Sequence, residues 1–355
     1  MNINKERYSR QLILQGFGET AQNQLVNSRV LVIGAGGLGC PVLQYLAASG
    51  VGSIGIIDDD FVSLSNLHRQ ILFTTDDIGR LKVEVSKERL QKINPDLSIN
   101  IYPFKIDKAN AIDILTEYDF IFDGSDNFAT RYLVNDVCAM MKKPLIFAAV
   151  SGYEGQLAIF NIHGKENVTT NYRDLFPIQP KAGEILNCAE NGVLGILPGI
   201  IGTMAAGEII KLITKIGTPL INKMKHYNLL NGESYELNIS PGHNYRLPNT
   251  KEELFAMQYE ERREISDNFK EIGAVDLKSL NKQSSTLVID VRERRELPKL
   301  NDKEILQVPM SELVGSLHKI LGRKISFFYV SMALEALWQP NYLMKNMATQ
   351  KKYIV

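Results

Sequence analysis

Short apolar runs alternate with helical periodicity through the first part of the chain. The apolar runs predict β-strands at about 30–34, 53–57, 98–102, 119–123 and 144–150. Between the first two runs, apolar residues recur on one helical face, and Gly50 stands where a helix C-cap is expected. Strands that alternate with helices in this way predict a doubly wound, mainly parallel α/β sheet.

A different pattern follows the fifth predicted strand. Residues 156–162 alternate between polar and apolar, and two later segments, 223–230 and 233–239, flank Asn231-Gly232, which is a strong hairpin signal. These segments predict antiparallel strands that extend the sheet. Residues 163–190 have little periodicity and are rich in polar residues and proline, which predicts a long, mobile loop.

The composition changes after the predicted hairpin. More than half of residues 251–264 are charged, which is typical of a solvated linker or helix, and a new apolar strand follows at 285–293. We therefore expect a first domain at 1–248, a charged linker at 249–265 and a small second α/β domain at 266–355.

Candidate chemistry begins where the first predicted strand ends. Residues 30–33 are apolar and run into Gly-Ala-Gly-Gly-Leu-Gly at 34–39, which predicts a strand, a tight turn and the start of a helix. Glycines there let the backbone approach a phosphate, and free N–H groups at the helix start attract the anion. Asp58 follows the second strand, where an acidic residue holds a ribose. These features predict a Rossmann-like domain that binds a nucleotide.

Charged side chains after the second and fourth predicted strands indicate which nucleotide. Arg69 and Lys82 are two cations that would lie beside the glycine turn, and they suit a triphosphate whose charge develops as pyrophosphate leaves. Asp126 lies just past the fourth strand, at the edge where open α/β sheets bind ligands. We expect Asp126 to hold magnesium.

The composition of the chain indicates which partners and which cellular compartment to expect. The 355-residue chain has 40 basic and 40 acidic residues, so no overall field favours nucleic acid or a membrane surface. Residues 1–7 are polar and lack a signal-peptide core, while the most apolar later stretch, 193–206, contains Pro198 and is too short to span a bilayer. Three cysteines fit a reducing compartment, and two of them, Cys40 and Cys138, are expected in the core. We expect a cytoplasmic protein.

Several separated motifs occur in the order found in one enzyme family. They are Arg7–Gln11, Gly34–Gly39, Asp58–Gln70, Lys82, Ile93–Pro95, Asp123–Arg131 and Cys188–Gly195. In these motifs the chain resembles the ubiquitin-activating-type adenylyltransferases of bacteria, which serve molybdopterin and thiamine sulfur carriers. The resemblance implies an enzyme that uses ATP to join AMP to the C-terminal glycine of a small ubiquitin-like carrier ending in Gly-Gly. The products would be pyrophosphate and an acyl-adenylate that sulfur later attacks.

The same resemblance implies roles for individual residues. The nucleotide-binding residues would be Gly36, Gly37, Asp58, Asp60, Asn66, Arg69, Gln70, Lys82, Asp126 and Asn127. The catalytic residues would be Arg10, Arg69, Lys82 and Asp126, with magnesium held by Asp126 together with ATP. Arg10 lies on an N-terminal arm that would reach the triphosphate of the other subunit in a homodimer. No protein nucleophile is required, because the carrier's own carboxylate attacks the α-phosphorus.

The chain departs from the family pattern at its cysteines. In the family, two Cys-x-x-Cys pairs bind structural zinc, one in the long loop and one after the hairpin. Here the first position reads Asn-Tyr-Arg-Asp at 171–174, and no pair follows Ile239. Because the three cysteines are far apart in sequence, we predict no zinc site. Cys188 matches a cysteine that some members use to receive the activated carrier and others keep without needing it, so both interpretations stay open.

The predicted second domain resembles part of a rhodanese. Residues 285–293 match the start of such a domain, whose cysteine delivers persulfide sulfur. In the matching later segment, 324–333, Tyr329 stands near the expected cysteine and no glycine-rich anion loop follows. We expect a degenerate rhodanese-like domain kept for structure, docking or dimer contacts, and a separate sulfur donor.

Two other classes of protein share part of this pattern. An NAD-dependent oxidoreductase would use the same glycine turn and Asp58, but it would leave Arg10, Arg69 and Lys82 without a purpose. A non-catalytic scaffold that binds a ubiquitin-like partner is compatible with the lost cysteine pairs and the altered second domain. The charged residues expected to face phosphate favour the enzyme over both alternatives.

Overall fold

The chain divides into two compact units, Met1–Glu261 and Arg262–Val355. In the first unit, the computed structural model describes residues 3–164, 167–180 and 192–259. In the second unit it describes short segments at 286–290, 305–309, 312, 326–330 and 353–354.

Nine α-helices are described in the first unit, two of them before the first strand of its sheet. They are α1 Ser9–Leu12, α2 Gly18–Val26, α3 Gly39–Ser49, α4 Lys82–Ile93, α5 Ala111–Thr116, α6 Phe128–Met141, α7 Tyr172–Leu175, α8 Ile196–Thr214 and α9 Lys251–Ala256. Helix α3 ends at Gly50 in the left-handed conformation, with φ 89°, as the sequence predicts.

The sheet of the first unit has eight strands. They are β1 Arg29–Ile33, β2 Ser53–Ile57, β3 Ser98–Tyr102, β4 Phe120–Asp123, β5 Leu145–Ser151, β6 Glu154–Phe160, β7 Lys223–Asn228 and β8 Ser234–Asn238. The spatial order is β3-β2-β1-β4-β5-β6-β7-β8. Neighbours from β3 to β5 are parallel, and β6, β7 and β8 are added antiparallel. The predicted doubly wound sheet with an antiparallel extension is confirmed.

The central strand shows why the sequence folds in this way. Successive side chains of a strand point to opposite faces, so a strand covered on both faces is apolar throughout. Val30 and Val32 of β1 join the core cluster that contains α3 and α8, whereas Leu31 and Ile33 join the cluster that contains α5 and α6. Helices therefore cover both faces of the sheet, and polar groups that can contact a ligand occur at the ends of the strands.

The apolar stretch 193–206, expected to be too short to span a bilayer, continues into a longer helix. Helix α8 begins at Ile196 and continues to Thr214, so the expectation about its length is wrong. Proline is tolerated in a first helical turn, and Pro198 lies there. By length and composition α8 is the one helix among the described residues that could cross a membrane, and 50% of its apolar window is buried in the unit. Its residues Leu197, Ile201 and Ala205 belong to the core beside α3.

Two segments expected to be loop or linker contain ordered, buried residues. In the predicted mobile loop, α7 places Tyr172 and Arg173 in the interior, at 2% and 8% exposure. Residues 165–166 and 181–190 of that loop lie outside the described residues, and the mobility of the loop stays a prediction. In the predicted linker, Leu254 of α9 is 0% exposed and Tyr259 is 5% exposed. The first unit thus uses residues beyond the predicted boundary at 248.

The second unit contains a parallel sheet of four strands. They are β9 Thr286–Asp290, β10 Ile305–Gln307, β11 Ser326–Val330 and β12 Tyr353–Ile354. The order is β10-β9-β11-β12, with all three neighbouring pairs parallel. The strand predicted at 285–293 is present as β9, and Tyr329 of the segment 324–333 belongs to β11.

Candidate functional site

A glycine loop joins β1 to α3. Gly34 has φ 89°, a left-handed conformation that favours glycine. At Gly39, a Cβ atom would lie 1.9 Å from the carbonyl oxygen of Gly34, so a side chain there would force the loop open. The loop is therefore tight and presents its backbone at the carboxyl end of the central strands, which is where open α/β sheets bind ligands. We call the carboxyl ends of β1, β2 and β4, with the loops that follow them, the nucleotide edge.

Asp58, at the end of β2, is hydrogen-bonded to the glycine loop. Its Oδ2 accepts from the backbone N–H of Ala35 at 2.7 Å, and its Oδ1 accepts from the N–H of Asp60 at 2.8 Å. Burial raises the pKa of Asp58, while the Lys82 charge opposes part of that rise. A carboxylate fixed in this way beside the loop is placed to accept hydrogen bonds from ribose hydroxyls.

The segment from Ser63 to Gln70 packs against the glycine loop. Asn66 closes a 3₁₀ turn through a reciprocal cap with Ser63. A Cβ at Gly37 would lie 3.4 Å from Cγ of Arg69, and a Cβ at Gly36 would lie 3.8 Å from Nε2 of Gln70. The structure therefore brings the predicted arginine and glutamine beside the predicted glycines.

Arg69 is held by local contacts. Its Nη1 donates to the Ser65 carbonyl at 3.0 Å and lies 2.8 Å from Nε2 of His68. Burial and the Arg69 charge lower the pKa of His68, which favours a neutral ring that can accept from the guanidinium. Gln70 is 3% exposed, and its Oε1 is a buried atom with no hydrogen-bond partner among the described residues. A polar ligand at the loop would give that oxygen a partner.

Lys82 begins α4 with a buried side chain and one charged partner. Its Nζ donates to Oδ2 of Asp60 at 2.8 Å, and its side chain is only 5% exposed. Asp60 is 66% exposed, so water screens its carboxylate and the pair is easily exchanged. The ammonium is therefore fixed near Asp58 but can give up Asp60 for a phosphate oxygen.

Asp126 and Asn127 are exposed in the loop between β4 and α6. Asn127 caps α6 by accepting from the N–H of Thr130 at 2.8 Å. The loop touches the glycine turn, because a Cβ at Gly34 would lie 3.0 Å from the Gly124 carbonyl oxygen. An exposed carboxylate beside a phosphate-binding turn fits magnesium, which prefers oxygen ligands and is often held by one carboxylate plus substrate phosphates.

A buried ion pair lies under this loop, and the sequence analysis gives it no role. Asp123, at the end of β4, is 0% exposed, and its Oδ2 lies 3.9 Å from Nε of Arg131. Asp123 accepts from the N–H of Ser125 at 3.0 Å, and Nη2 of Arg131 donates to the Ser125 carbonyl at 2.8 Å. The pair braces the backbone next to Asp126. An aspartate that ends an apolar strand, with an arginine on the next helix, is the sequence signal that could have identified it.

Arg10 does not lie near the glycine loop of its own chain. It is exposed on α1, and its neighbour Tyr8 packs at the far end of α3, where a Cβ at Gly50 would meet the Tyr8 ring at 2.6 Å. The 11 residues of α3 separate that end from the loop by about 16 Å. Arg10 is therefore held well away from the other predicted catalytic residues.

The cysteines divide into two groups. Cys40 and Cys138 are buried and free, as predicted, and burial raises the pKa of Cys40 to about 12. Cys188 lies outside the described residues. No group of three or more His, Cys, Asp or Glu side chains that could hold a metal occurs in the described part of the chain.

Comparisons with known proteins agree with this geometry. The profile of the ThiF family matches residues 8–247. A sulfur carrier protein adenylyltransferase of Thermus thermophilus is 44% identical over 237 residues, covering 66% of this chain and 87% of that protein. A Porphyra purpurea protein named probable molybdopterin-synthase adenylyltransferase is 35% identical over 344 residues, covering 96% of this chain and 88% of that protein. The crystal structure of E. coli MccB with ATP matches with a TM-score of 0.59 at 27% identity, covering 67% of this chain and 73% of MccB.

The family match spans the nucleotide edge and the antiparallel extension alike. An adenylyltransferase transfers AMP from ATP, which suits a glycine loop flanked by an arginine, a lysine and an exposed carboxylate. The chain belongs to the ThiF family and is an adenylyltransferase that uses ATP.

Proposed function

We propose that this enzyme adenylates the C-terminal glycine of a small ubiquitin-like sulfur-carrier protein that ends in Gly-Gly. Similarity to a sulfur carrier protein adenylyltransferase and, along nearly the whole chain, to a molybdopterin-synthase adenylyltransferase supports this substrate class. The adenylated carrier would then receive sulfur for molybdopterin or thiamine synthesis. Both carriers end in the same dipeptide, so the nucleotide edge suits either pathway.

The proposed reaction needs positioning and charge, and it needs no protein nucleophile. A carboxylate oxygen of the carrier attacks the α-phosphorus of ATP and forms a new O–P bond. The bond between the α-phosphorus and the oxygen that bridges it to the β-phosphorus breaks. The electron pair leaves with pyrophosphate. Arg69 and Lys82 would exchange their present partners, the Ser65 carbonyl and the Asp60 carboxylate, for phosphate oxygens.

Magnesium would be held by Asp126 together with the phosphates of ATP. When bound, the ion neutralises charge on the departing pyrophosphate. The chain's own part is to keep Asp126 exposed and its loop fixed, which Asp123 and Arg131 do through Ser125. Asp58 would orient the ribose, and Gly36 and Gly37 would admit the phosphates.

We infer that the working enzyme is a homodimer in which Arg10 of one subunit completes the site of the other. The position of Arg10 supports this, because α1 is docked at the end of α3 remote from the glycine loop. Ile13 and Leu14, which follow α1, are 74% and 58% exposed, as residues at a subunit contact would be in a single chain.

The sulfur would come from a separate donor. All three cysteines lie before residue 189, so the second unit contains no thiol to carry a persulfide. Cys188 would accept the activated carrier as a thioester, with AMP as the leaving group, or as an acyl disulfide, also with loss of AMP, once the donor has supplied Cys188 with persulfide sulfur. Near-normal sulfur transfer by a Cys188→Ala variant would exclude that covalent role.

The observation that carries the proposal is the gathering of Arg69, Gln70 and Lys82 around the glycine loop and Asp58. The test is ATP–pyrophosphate exchange with magnesium, using a molybdopterin-type and a thiamine-type carrier, each with a control that lacks the terminal Gly-Gly. Exchange that requires one intact tail is expected and would identify the pathway. Exchange with neither carrier would contradict the proposal and favour a different carboxylate substrate or the scaffold.

A further inference from the structure

Two pairs of residues, each spaced i and i+3, meet where the long loop approaches the chain after the hairpin. Asn171 and Asp174 belong to the α7 turn, and Gly242 and Tyr245 follow β8. The Tyr245 hydroxyl donates to Oδ1 of Asp174 at 2.5 Å, and Nδ2 of Asn171 donates to that hydroxyl at 2.7 Å. The N–H of Gly242 donates to the same Asp174 oxygen at 2.5 Å. We call these four residues the 171–245 clamp.

The clamp stands where the family resemblance places a zinc ion, but its atoms do not fit a metal. A zinc site needs four lone pairs directed at one point, usually from thiolates or imidazoles. Here Gly242 contributes an N–H donor and Tyr245 an O–H donor, and both are directed at the single carboxylate of Asp174. Burial and the hydrogen bond to Asp174 raise the pKa of Tyr245 to about 12, so it keeps its proton at neutral pH. The carboxylate takes the central place that a cation would take.

A second set of contacts ties the same turn to α6. Arg173 makes a bidentate pair with Asp136 at 2.7 Å for each bond, and the Tyr259 hydroxyl donates to the same carboxylate at 2.8 Å. Nε2 of Gln179 donates to the Tyr259 carbonyl at 2.6 Å. The chain after the hairpin therefore holds the turn at both Tyr245 and Tyr259.

The clamped turn reaches the nucleotide edge through Tyr172. The ring of Tyr172 packs on Phe147 with 5.1 Å between centroids, and the guanidinium of Arg131 lies 5.0 Å above the same Phe147 ring. Arg131 in turn donates to the Ser125 carbonyl, next to Asp126. A shift of the turn would move Tyr172, and with it the support for Arg131.

We propose that the 171–245 clamp is a metal-independent cross-link that positions Tyr172 and Arg131, and through them the loop that carries Asp126. Asn171, Asp174 and Tyr245 are positioning residues, since none of them touches the reacting atoms. The catalytic consequence rests on the proposed function, whereas the cross-link itself does not.

The test compares Tyr245→Phe with Tyr235→Phe in the full chain. Both changes remove one hydroxyl and keep the ring, but Tyr235 is 52% exposed on β8. Hydrogen exchange is followed for the amides of residues 171–173, which donate to Asp174, Asn135 and Asn171. Tyr245→Phe should speed their exchange about tenfold, because a hydrogen bond to a charged group is lost. Tyr235→Phe should leave it unchanged.

Zinc content and activity complete the test. Wild-type protein should contain no stoichiometric zinc. A zinc-selective chelator, added with excess magnesium, should not change the amide hydrogen exchange of residues 171–173. Pyrophosphate exchange should fall about tenfold in Tyr245→Phe. One zinc per chain, or unaltered amide exchange in Tyr245→Phe, would overturn the cross-link, and faster amide exchange with full activity would overturn the positioning role. If wild type shows no carrier-dependent activity, the proposed function fails while amide exchange still decides the cross-link.

Discussion

The nucleotide edge and the buried contacts of Asp136, beside the 171–245 clamp, use the same types of polar side chain in opposite ways. At the nucleotide edge, Lys82 is paired with Asp60, which is 66% exposed, and Arg69 donates to a backbone carbonyl. At the turn beside the clamp, Asp136 is 0% exposed and accepts from Arg173, Asn135 and Tyr259. The first set of contacts can be exchanged for a ligand, whereas the second is closed to solvent.

This difference separates catalysis from support. The carboxylate of Asp60 is exposed, so water solvates it once it is released, and a phosphate oxygen can take its place on the buried Lys82 ammonium. A buried ion pair that is fully hydrogen-bonded is costly to break, because the charge left behind has no water. Substitutions at the buried pair should therefore lower the free energy of unfolding, whereas substitutions at the nucleotide edge should lower the rate of adenylation.

The largest expected effect is on stability, at the buried pair. Replacing Asp136 by Asn should lower the free energy of unfolding by about 3–5 kcal/mol, because Arg173 keeps a buried charge without a counter-ion. Glu19→Gln breaks the exposed pair with Lys5 and should cost less than about 1 kcal/mol. Urea unfolding of the two variants measures both values, and equal losses would contradict the contrast.

The next effect is on rate, at the nucleotide edge. Asp126→Ala and Arg69→Ala should each reduce adenylation about a hundredfold or more, since each removes charge stabilisation at the departing pyrophosphate. Their urea midpoints should stay near the wild-type value. Asp113→Asn, an exposed change on α5, is the control for loss of one carboxylate. Near-normal turnover by either Asp126→Ala or Arg69→Ala would contradict the catalytic role given to that residue.

A mixing experiment sharpens the comparison by asking whether the nucleotide edge is complete in one chain. Arg10→Ala and Asp126→Ala proteins should each be inactive alone. If subunits exchange at random, mixed dimers have one intact site of two, and about a quarter of wild-type activity should return. Activity that stays at the level of the separate variants, with exchange of subunits demonstrated, would contradict the shared site.

The smallest expected effect is on the pH dependence of ATP binding. Burial raises the pKa of Asp58, so its carboxylate takes up a proton at a higher pH than an ordinary aspartate does. Protonation removes an acceptor for the ribose, and the Kd for ATP should rise as pH falls, by at most about tenfold per pH unit. The Asp58→Asn variant should bind ATP more weakly at pH 7, and its Kd for ATP should change less with pH than that of the wild type. An identical slope for both proteins between pH 7 and pH 5 would assign the titration to another group.

Local pattern predicts the fold well and the contacts between distant segments poorly. The apolar runs predict β2 and β3 to the residue and the other parallel strands to within one residue at either end, because a buried strand is marked by its own side chains. The glycine loop and Asp58 are equally local. The clamp joins Asp174 to Tyr245, 71 residues apart, and no periodicity records such a pairing.

Residues that the sequence analysis leaves without a role are visible only once the chain is folded. Arg131 gains its place from Asp123 and Phe147, which lie on two different strands. The distance of Arg10 from its own glycine loop depends on how α1 docks on α3. The sequence of residues 171–174 looks like an ordinary polar loop until folding brings Tyr245 against Asp174 and Asp136 against Arg173.

The central claim is that the nucleotide edge transfers AMP to a carrier's terminal glycine. Its most direct test is intact-mass analysis of a Gly-Gly carrier incubated with the enzyme, ATP, magnesium and pyrophosphatase, in parallel with the Asp126→Ala variant. The account predicts a carrier heavier by one adenylyl group, absent with the variant and with a carrier that lacks its tail. A carrier of unchanged mass, with an enzyme that binds ATP, would contradict the claim.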